Sequence, residues 1–418
     1  MDRFLIRGGN PLKGKIRVSG AKNAVLPLFA ATLLADGPCT ISNVPRLRDV
    51  TTMVRVLETL GAKAEWLEPD TIRIDGTGVT NLEAPYDLVK TMRASFIVLG
   101  PLVAKHGYAR VALPGGCAIG VRQVDLHLKG LQAMGATIEM GEGYIAARAS
   151  KLHGGLVYLD FPSVGATENL MLAASLTQGV TVIENAAMEP EISDLARLLI
   201  SMGARVKGAG SKVIEVHGVE KLQGAQHRVI PDRIEAGTFM IAAAITGGHL
   251  TVEEAPIDML ESLTAKLLET GASIYIGDGS VEVTGPRTIR AVNLTTQPHP
   301  GYPTDLQAPF MAYLALAKGT SLVTETIFEN RFMHVAELRR MGADIQVQSA
   351  RGALVNGTTH LSGAPVMASD LRAGAALVLA ALAAQGESDI SRIYHIDRGY
   401  ERIDSKLRGV GADIERVQ

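Results

Sequence analysis

A chain of 418 residues, 47% of them hydrophobic, exceeds one ordinary core and is expected to fold as about two domains. Its 41 basic and 43 acidic residues leave a net charge of -2, which excludes a global field for gripping nucleic acid or an anionic membrane. The longest apolar run, Ala373 to Ala384, is too short to span a bilayer, and Met1-Asp2-Arg3-Phe4-Leu5-Ile6-Arg7 lacks the apolar core of a secretion signal, so a cytoplasmic location is expected.

The first 21 residues carry two strand-like stretches around Gly8-Gly9-Asn10-Pro11, and they resemble residues 214 to 224 rather than their own neighbours. From Lys22 a unit recurs: a small-residue helix, a strand such as Thr181-Val182-Ile183-Glu184-Asn185, an amphipathic helix, and two more strands. Six helices end in Gly-Ala, at Gly61-Ala62, Gly135-Ala136, Gly203-Ala204, Gly271-Ala272, Gly342-Ala343 and Gly411-Ala412, with successive glycines 68 to 74 residues apart. That pattern predicts a left-handed cap closing each helix before a strand. A second marker keeps the same phase, since the small-residue helices stop at Gly37, Gly107, Gly179, Gly247, Gly319 and Gly386.

The sixth copy ends at Gln418 without the strand pair that follows the other caps, and the N-terminal stretch is expected to supply it. The expected domains are therefore 22 to 229, and 1 to 21 with 230 to 418, each of three units, with a ligand site in the cleft between them. A solenoid is the alternative, but this period exceeds the roughly 20 to 50 residues common there.

Within the second unit, Leu113-Pro114-Gly115-Gly116-Cys117-Ala118-Ile119-Gly120-Val121-Arg122 sets one of only two cysteines among glycines, five residues before an arginine. Such a loop is either a tight turn around an inert cysteine or a means of bringing a thiol up to a ligand, where the arginine would favour thiolate or orient an anion. Cys39, in the strand-like Cys39-Thr40-Ile41-Ser42-Asn43-Val44, is expected to be inert. Two cysteines give neither a disulfide framework nor a metal-ligand spacing.

Aligning the six copies brings Lys22-Asn23, Arg93, Ser163-Val164-Gly165, Asp232-Arg233, Thr304-Asp305 and Asp370-Leu371-Arg372 to helix N-termini. Asp232 and Asp370 read as plain caps. Lys22 and Arg93 do not, because a cation there opposes the helix dipole unless an anion lies between it and the amides. Lys22, Arg93, Arg122, Arg372 and Arg398 are the basic residues expected to ring an anion site.

The stretches Ser19-Gly20-Ala21-Lys22-Asn23-Ala24, Lys90-Thr91-Met92-Arg93-Ala94-Ser95, Pro114-Gly115-Gly116-Cys117, Phe328-Glu329-Asn330-Arg331-Phe332-Met333-His334 and Tyr394-His395-Ile396-Asp397-Arg398-Gly399-Tyr400-Glu401-Arg402 together resemble the UDP-N-acetylglucosamine enolpyruvyl transferases. The resemblance covers essentially the whole chain. It implies an α/β fold of two inside-out barrels, each of three repeats, with the active site in the cleft between them. It also implies transfer of the enolpyruvyl group of phosphoenolpyruvate to the 3'-hydroxyl of UDP-N-acetylglucosamine with release of phosphate, opening peptidoglycan synthesis without metal or organic cofactor. Carried over, Cys117 matches the general acid, which a phosphonate epoxide such as fosfomycin would alkylate. Asp305 matches the carboxylate facing the sugar hydroxyl. Lys22, Asn23, Arg122 and Arg398 match the groups holding phosphoenolpyruvate, with Lys22 counted among the catalytic residues. Arg93, Arg122, Gln123, Val124, Asp125, Leu126, Ser163, Val164, Gly165, Asp305 and Ile327 match sugar-nucleotide contacts. The chain departs from some members at Gln123 and Phe161, which puts a side-chain contact from position 161 in doubt.

Two other functions stand beside this one: the shikimate-pathway enolpyruvyl transferase, which uses no loop cysteine, and a non-catalytic six-repeat scaffold. The partners expected are the two small substrates, with neither nucleic acid nor membrane, and association with further copies of the chain is left open.

Overall fold

The computed structural model describes residues 2–90, 92–113 and 124–418. Those residues form a mixed α/β fold in two compact units, one of residues 20–113 with 124–230 and one of residues 2–19 with 231–418. The division falls after Ser19 and after Ile230.

The Gly-Ala pairs close their helices as the sequence predicts. Gly61, Gly135, Gly203, Gly271, Gly342 and Gly411 all have φ between 90° and 107°, where an L side chain is strained. In each case the following alanine donates its N–H to the carbonyl five residues back, as in Ala62 to Leu57 and Ala412 to Leu407. The glycine itself bonds three back, as in Gly61 to Glu58, so both terminal carbonyls are satisfied as the chain turns out of the helix.

Among the described residues the strands make six four-stranded sheets of one pattern. A short edge strand runs parallel to the strand that follows a small-residue helix, and the two strands of a hairpin add antiparallel beyond it. Thus Gln226–Arg228 pairs with Cys39–Ser42, then come Thr71–Asp75 and Lys63–Glu68. Lys13–Arg17 takes the equivalent edge beside His249–Glu253. The sixth sheet differs from expectation by one strand. Its cap is followed by Asp413–Val417, the first strand of the pair, so the N-terminus adds only Arg3–Arg7, inserted between Glu387–Ser391 and Asp413–Val417.

Each unit has its own core, in which the sheets turn their apolar faces onto helices that have almost no polar face. Arg233–Ile245 and Gln307–Leu314 are buried at every residue, and Leu371–Ala383 at all but its ends. Glycine lets them close up. A Cβ on Gly237 would lie 2.5 Å from Leu306 Cδ1, and one on Gly374 would lie 2.5 Å from Ile396 Cγ1. No helix among the described residues is long and apolar enough to cross a membrane.

Candidate active site

In the unit of residues 20–113 with 124–230, Lys22 is the first residue of the helix Lys22–Ala31, whose N-cap Ala21 offers no side-chain cap. Its Nζ lies 3.3 Å from Oδ2 of Asp49, in the first turn of Arg48–Leu60, with the two side chains 13% and 4% exposed. The anion that a cation at this position calls for is therefore met in part from within the protein. Asn23 follows it, half-buried.

Arg93 opens the 3-10 turn Arg93–Val98, half-buried. Ser163 caps Val164–Ala174, its Oγ accepting the N–H of Ala166 at 3.3 Å, and Val164 and Gly165 form the first turn. Val124 is the N-cap of Asp125–Ala133, in which Asp125 is exposed and Leu126 half-buried. These three segments converge on His127, a residue the sequence gives no reason to single out. Phe96 meets its ring edge-on at 5.3 Å, and a Cβ on Gly165 would lie 3.4 Å from its Cε1. Asn169 Oδ1 accepts the N–H of Gly100 at 2.8 Å, so its amide nitrogen faces His127 Nδ1 at 3.0 Å. That nitrogen must accept, which puts the imidazole proton on Nε2. Burial, with the nearby charge of Arg93, lowers the His127 pKa to about 3, so the ring stays neutral.

In the unit of residues 2–19 and 231–418, Asp305 lies in the 3-10 turn Thr304–Leu306 that leads into the buried helix Gln307–Leu314. Its Oδ1 accepts from Arg331 Nη2 at 2.7 Å and its Oδ2 from Arg372 Nη2 at 2.8 Å. Burial alone would raise this carboxyl, but Arg372 and Arg331 outweigh it and hold it well below the usual carboxylate range. The guanidinium side chains are 4% and 5% exposed and the carboxylate 25%. Arg331 belongs to a motif singled out in the sequence, but nothing local gave it this role. Asp232 and Asp370 are the caps they were expected to be: Asp232 Oδ1 accepts from Ile234 and Glu235, and Asp370 Oδ1 from Arg372 and Ala373.

Arg398 ends the turn Ile393–Arg398, whose Asp397 is gripped by Arg416 at 2.7 and 3.0 Å. Ile327 is half-buried in the loop after the strand Thr320–Thr324. Ser19, immediately before the crossing, gives its N–H to Glu235 at 2.6 Å and its hydroxyl to Glu401 at 2.6 Å, while Lys406 donates to both Glu235 and Ser19. Burial pushes the Glu235 carboxyl up to about 7 against the pull of Lys406.

Within one unit, then, Lys22 and Asn23 are adjacent and Arg93 and Gly165 meet around His127. In the other, Asp305 lies between two arginines. Cys117, Arg122 and Gln123 lie outside the described residues. No cluster of histidine, cysteine, aspartate or glutamate suited to a metal occurs among the described residues.

Residues 6–407 match the family model of EPSP synthase (3-phosphoshikimate 1-carboxyvinyltransferase). Proteins named UDP-N-acetylglucosamine 1-carboxyvinyltransferase are similar over the full length: that of Geotalea uraniireducens is 56% identical, covering 100% of both chains. The chain belongs to the EPSP synthase family, among the UDP-N-acetylglucosamine 1-carboxyvinyltransferases. A member from Caldanaerobacter subterraneus is 54% identical over 99% of both chains. Among solved structures, the enolpyruvyl transferase NikO of Streptomyces tendae superposes with a TM-score of 0.89 at 27% identity, over 100% of this chain and 99% of that one. EPSP synthase of Acinetobacter baumannii shares the family fold at a TM-score of 0.77 and 22% identity, with 100% of both chains covered.

Proposed function

We propose that the protein transfers the enolpyruvyl group of phosphoenolpyruvate to the 3'-hydroxyl of UDP-N-acetylglucosamine, releasing phosphate, as the opening step of peptidoglycan synthesis in the cytoplasm. The full-length identity to carboxyvinyltransferases of that name supports the substrate pair. The observation that carries the chemistry is Asp305 between Arg331 and Arg372. Each unit is taken as an inside-out α/β barrel of three repeats, in keeping with sheets packed around buried helices. The first domain is taken as 22–229 and the second as 1–21 with 230–418.

Addition of an alcohol across the double bond of this enol phosphate requires a proton at the methylene carbon and the loss of one from the hydroxyl. Cys117 gives its thiol proton to the methylene, the sugar oxygen bonds to the adjacent carbon, and the hydroxyl proton goes to Asp305. The Cys117 thiolate then takes a proton from the new methyl group as phosphate departs, restoring the double bond, and the proton held by Asp305 leaves with the phosphate. Two guanidinium ions keep Asp305 ionised, so it is an acceptor at any working pH. The same pairing makes it a weak base, and proton transfer must run together with formation of the carbon–oxygen bond. Lys22, Asn23, Arg122 and Arg398 hold phosphoenolpyruvate, as guanidinium forks and ammonium suit its carboxylate and phosphate. Arg93, Arg122 to Leu126, Ser163 to Gly165, Asp305 and Ile327 hold the sugar nucleotide.

Phosphate release measured with phosphoenolpyruvate plus either UDP-N-acetylglucosamine or shikimate 3-phosphate tests this. Release with the sugar nucleotide alone is expected. Release with shikimate 3-phosphate, or with neither acceptor, would overturn it.

A further inference from the structure

Glu325 is a buried carboxylate, 0% exposed, that the roles above leave unused. It sits immediately after the strand Thr320–Thr324 and collects four donors. Oε1 accepts from the hydroxyl of Thr296 at 2.9 Å and from the backbone N–H groups of Ile327 at 2.8 Å and Phe328 at 3.2 Å. Oε2 accepts from the hydroxyl of Thr304 at 2.9 Å.

The direction of this chain is fixed at both ends. Arg331 can only donate, and its Nη1 donates to Thr304 Oγ1 at 3.0 Å, so the threonine proton must turn toward Glu325. Thr296 is determined in the same way, since its oxygen accepts the N–H of Thr326 at 3.0 Å and its proton is left for Glu325. Arg331 holds Thr304 with one nitrogen and Asp305 with the other. A single buried carboxylate thereby sets both the loop carrying Ile327 and, through Thr304 and Arg331, the rotamer of Asp305.

We infer that Glu325 is a positioning residue for the sugar nucleotide: it presents the Ile327 loop and aims Asp305 at the acceptor hydroxyl without touching either substrate. This rests on the proposed enolpyruvyl transfer. Because Glu325 consumes the N–H of Ile327, that residue can offer the sugar nucleotide only its carbonyl oxygen or its side chain. Glu325→Gln keeps the shape but must present an amide N–H either to Thr304 or to the Ile327 and Phe328 N–H groups. In the first case the Thr304 hydroxyl loses its acceptor, and in the second the loop is repelled.

The test is steady-state phosphate release and calorimetric binding of UDP-N-acetylglucosamine by wild type, Glu325→Gln, Thr304→Val and the double variant. Glu325→Gln is expected to lose about 10- to 100-fold in kcat/KM for the sugar nucleotide, the scale of a displaced reacting group, while KM for phosphoenolpyruvate stays within about three-fold. Thr304→Val should show a similar loss, and the double variant should be little worse than either, since both break one relay. Thr304→Ser, which keeps the hydroxyl, should restore most of the activity. Unchanged kcat/KM and affinity in a folded Glu325→Gln protein would overturn the inference, as would fully additive losses or equal losses for both substrates. An inactive wild-type protein would instead sink the transferase function itself.

Discussion

Replacing Asp305 by asparagine removes a charge that two buried guanidinium ions share. Arg331 and Arg372 are 4% and 5% exposed, and each gives one nitrogen to a separate carboxylate oxygen at 2.7 and 2.8 Å. Asparagine can satisfy one of them through its carbonyl and must turn its own donors on the other. Breaking a buried pair costs about 3–5 kcal/mol. The Asp305 side chain is 25% exposed, and one acceptor survives, which brings the expected loss to about 2–3 kcal/mol. For a domain of this size that corresponds to a fall of roughly 5–10 °C in Tm. Loss of the proton acceptor should also reduce turnover by about 100- to 10,000-fold, with UDP-N-acetylglucosamine still bound. Thermal unfolding, calorimetric titration of the sugar nucleotide and phosphate release on one preparation measure all three. Turnover within a few-fold of wild type, or an unchanged Tm, would refute the roles given to Asp305 and its arginines.

Lys22→Ala should weaken phosphoenolpyruvate more than the sugar nucleotide, and equal losses in a substrate titration would point to a structural effect of leaving Asp49 without its 3.3 Å partner. Glu235 has its pKa raised in the fold from 4.5 to about 7, so the folded protein holds an extra proton between those values and stability should fall as pH rises through that window, by on the order of 3 kcal/mol. Urea unfolding from pH 5 to pH 8 should show that slope in wild type and lose most of it in Glu235→Gln. An anionic phosphonate epoxide such as fosfomycin should alkylate Cys117 in the native protein, faster with UDP-N-acetylglucosamine present, and leave Cys39 unmodified. Cys39 is 0% exposed and burial raises its pKa, so peptide mass spectrometry should find it labelled only after denaturation.

The six caps were legible because each is a local device: one glycine, one following alanine and two backbone bonds within six residues. The first turns at Lys22, Arg93, Ser163, Asp232, Thr304 and Asp370 followed from the same register. The strand count at the C-terminus was off by one because the two strands of that pair, Asp413–Val417 and Arg3–Arg7, are distant in the sequence, so no hairpin signal joins them. What completes each site was not legible. Asp49 lies 27 residues from Lys22, Asn169 lies 42 from His127, and Arg372 lies 67 from Asp305. No periodic pattern encodes a contact between separate helix starts.

The strand Arg3–Arg7 has consequences during synthesis. It is made well before both its neighbours, Glu387–Ser391 and Asp413–Val417, which lie at the far end of the described residues. At about 5–20 residues per second, it waits roughly 20–80 s for the chain that covers its edges. The described residues of the unit 20–113 with 124–230, by contrast, have their two ends tied, Ala21 donating to the carbonyl of Ile230 at 2.7 Å, so this half can be complete while the other is still half made. A nascent chain stalled near residue 380 would carry one finished unit and, in Arg3–Arg7, a strand that still lacks both of its sheet partners.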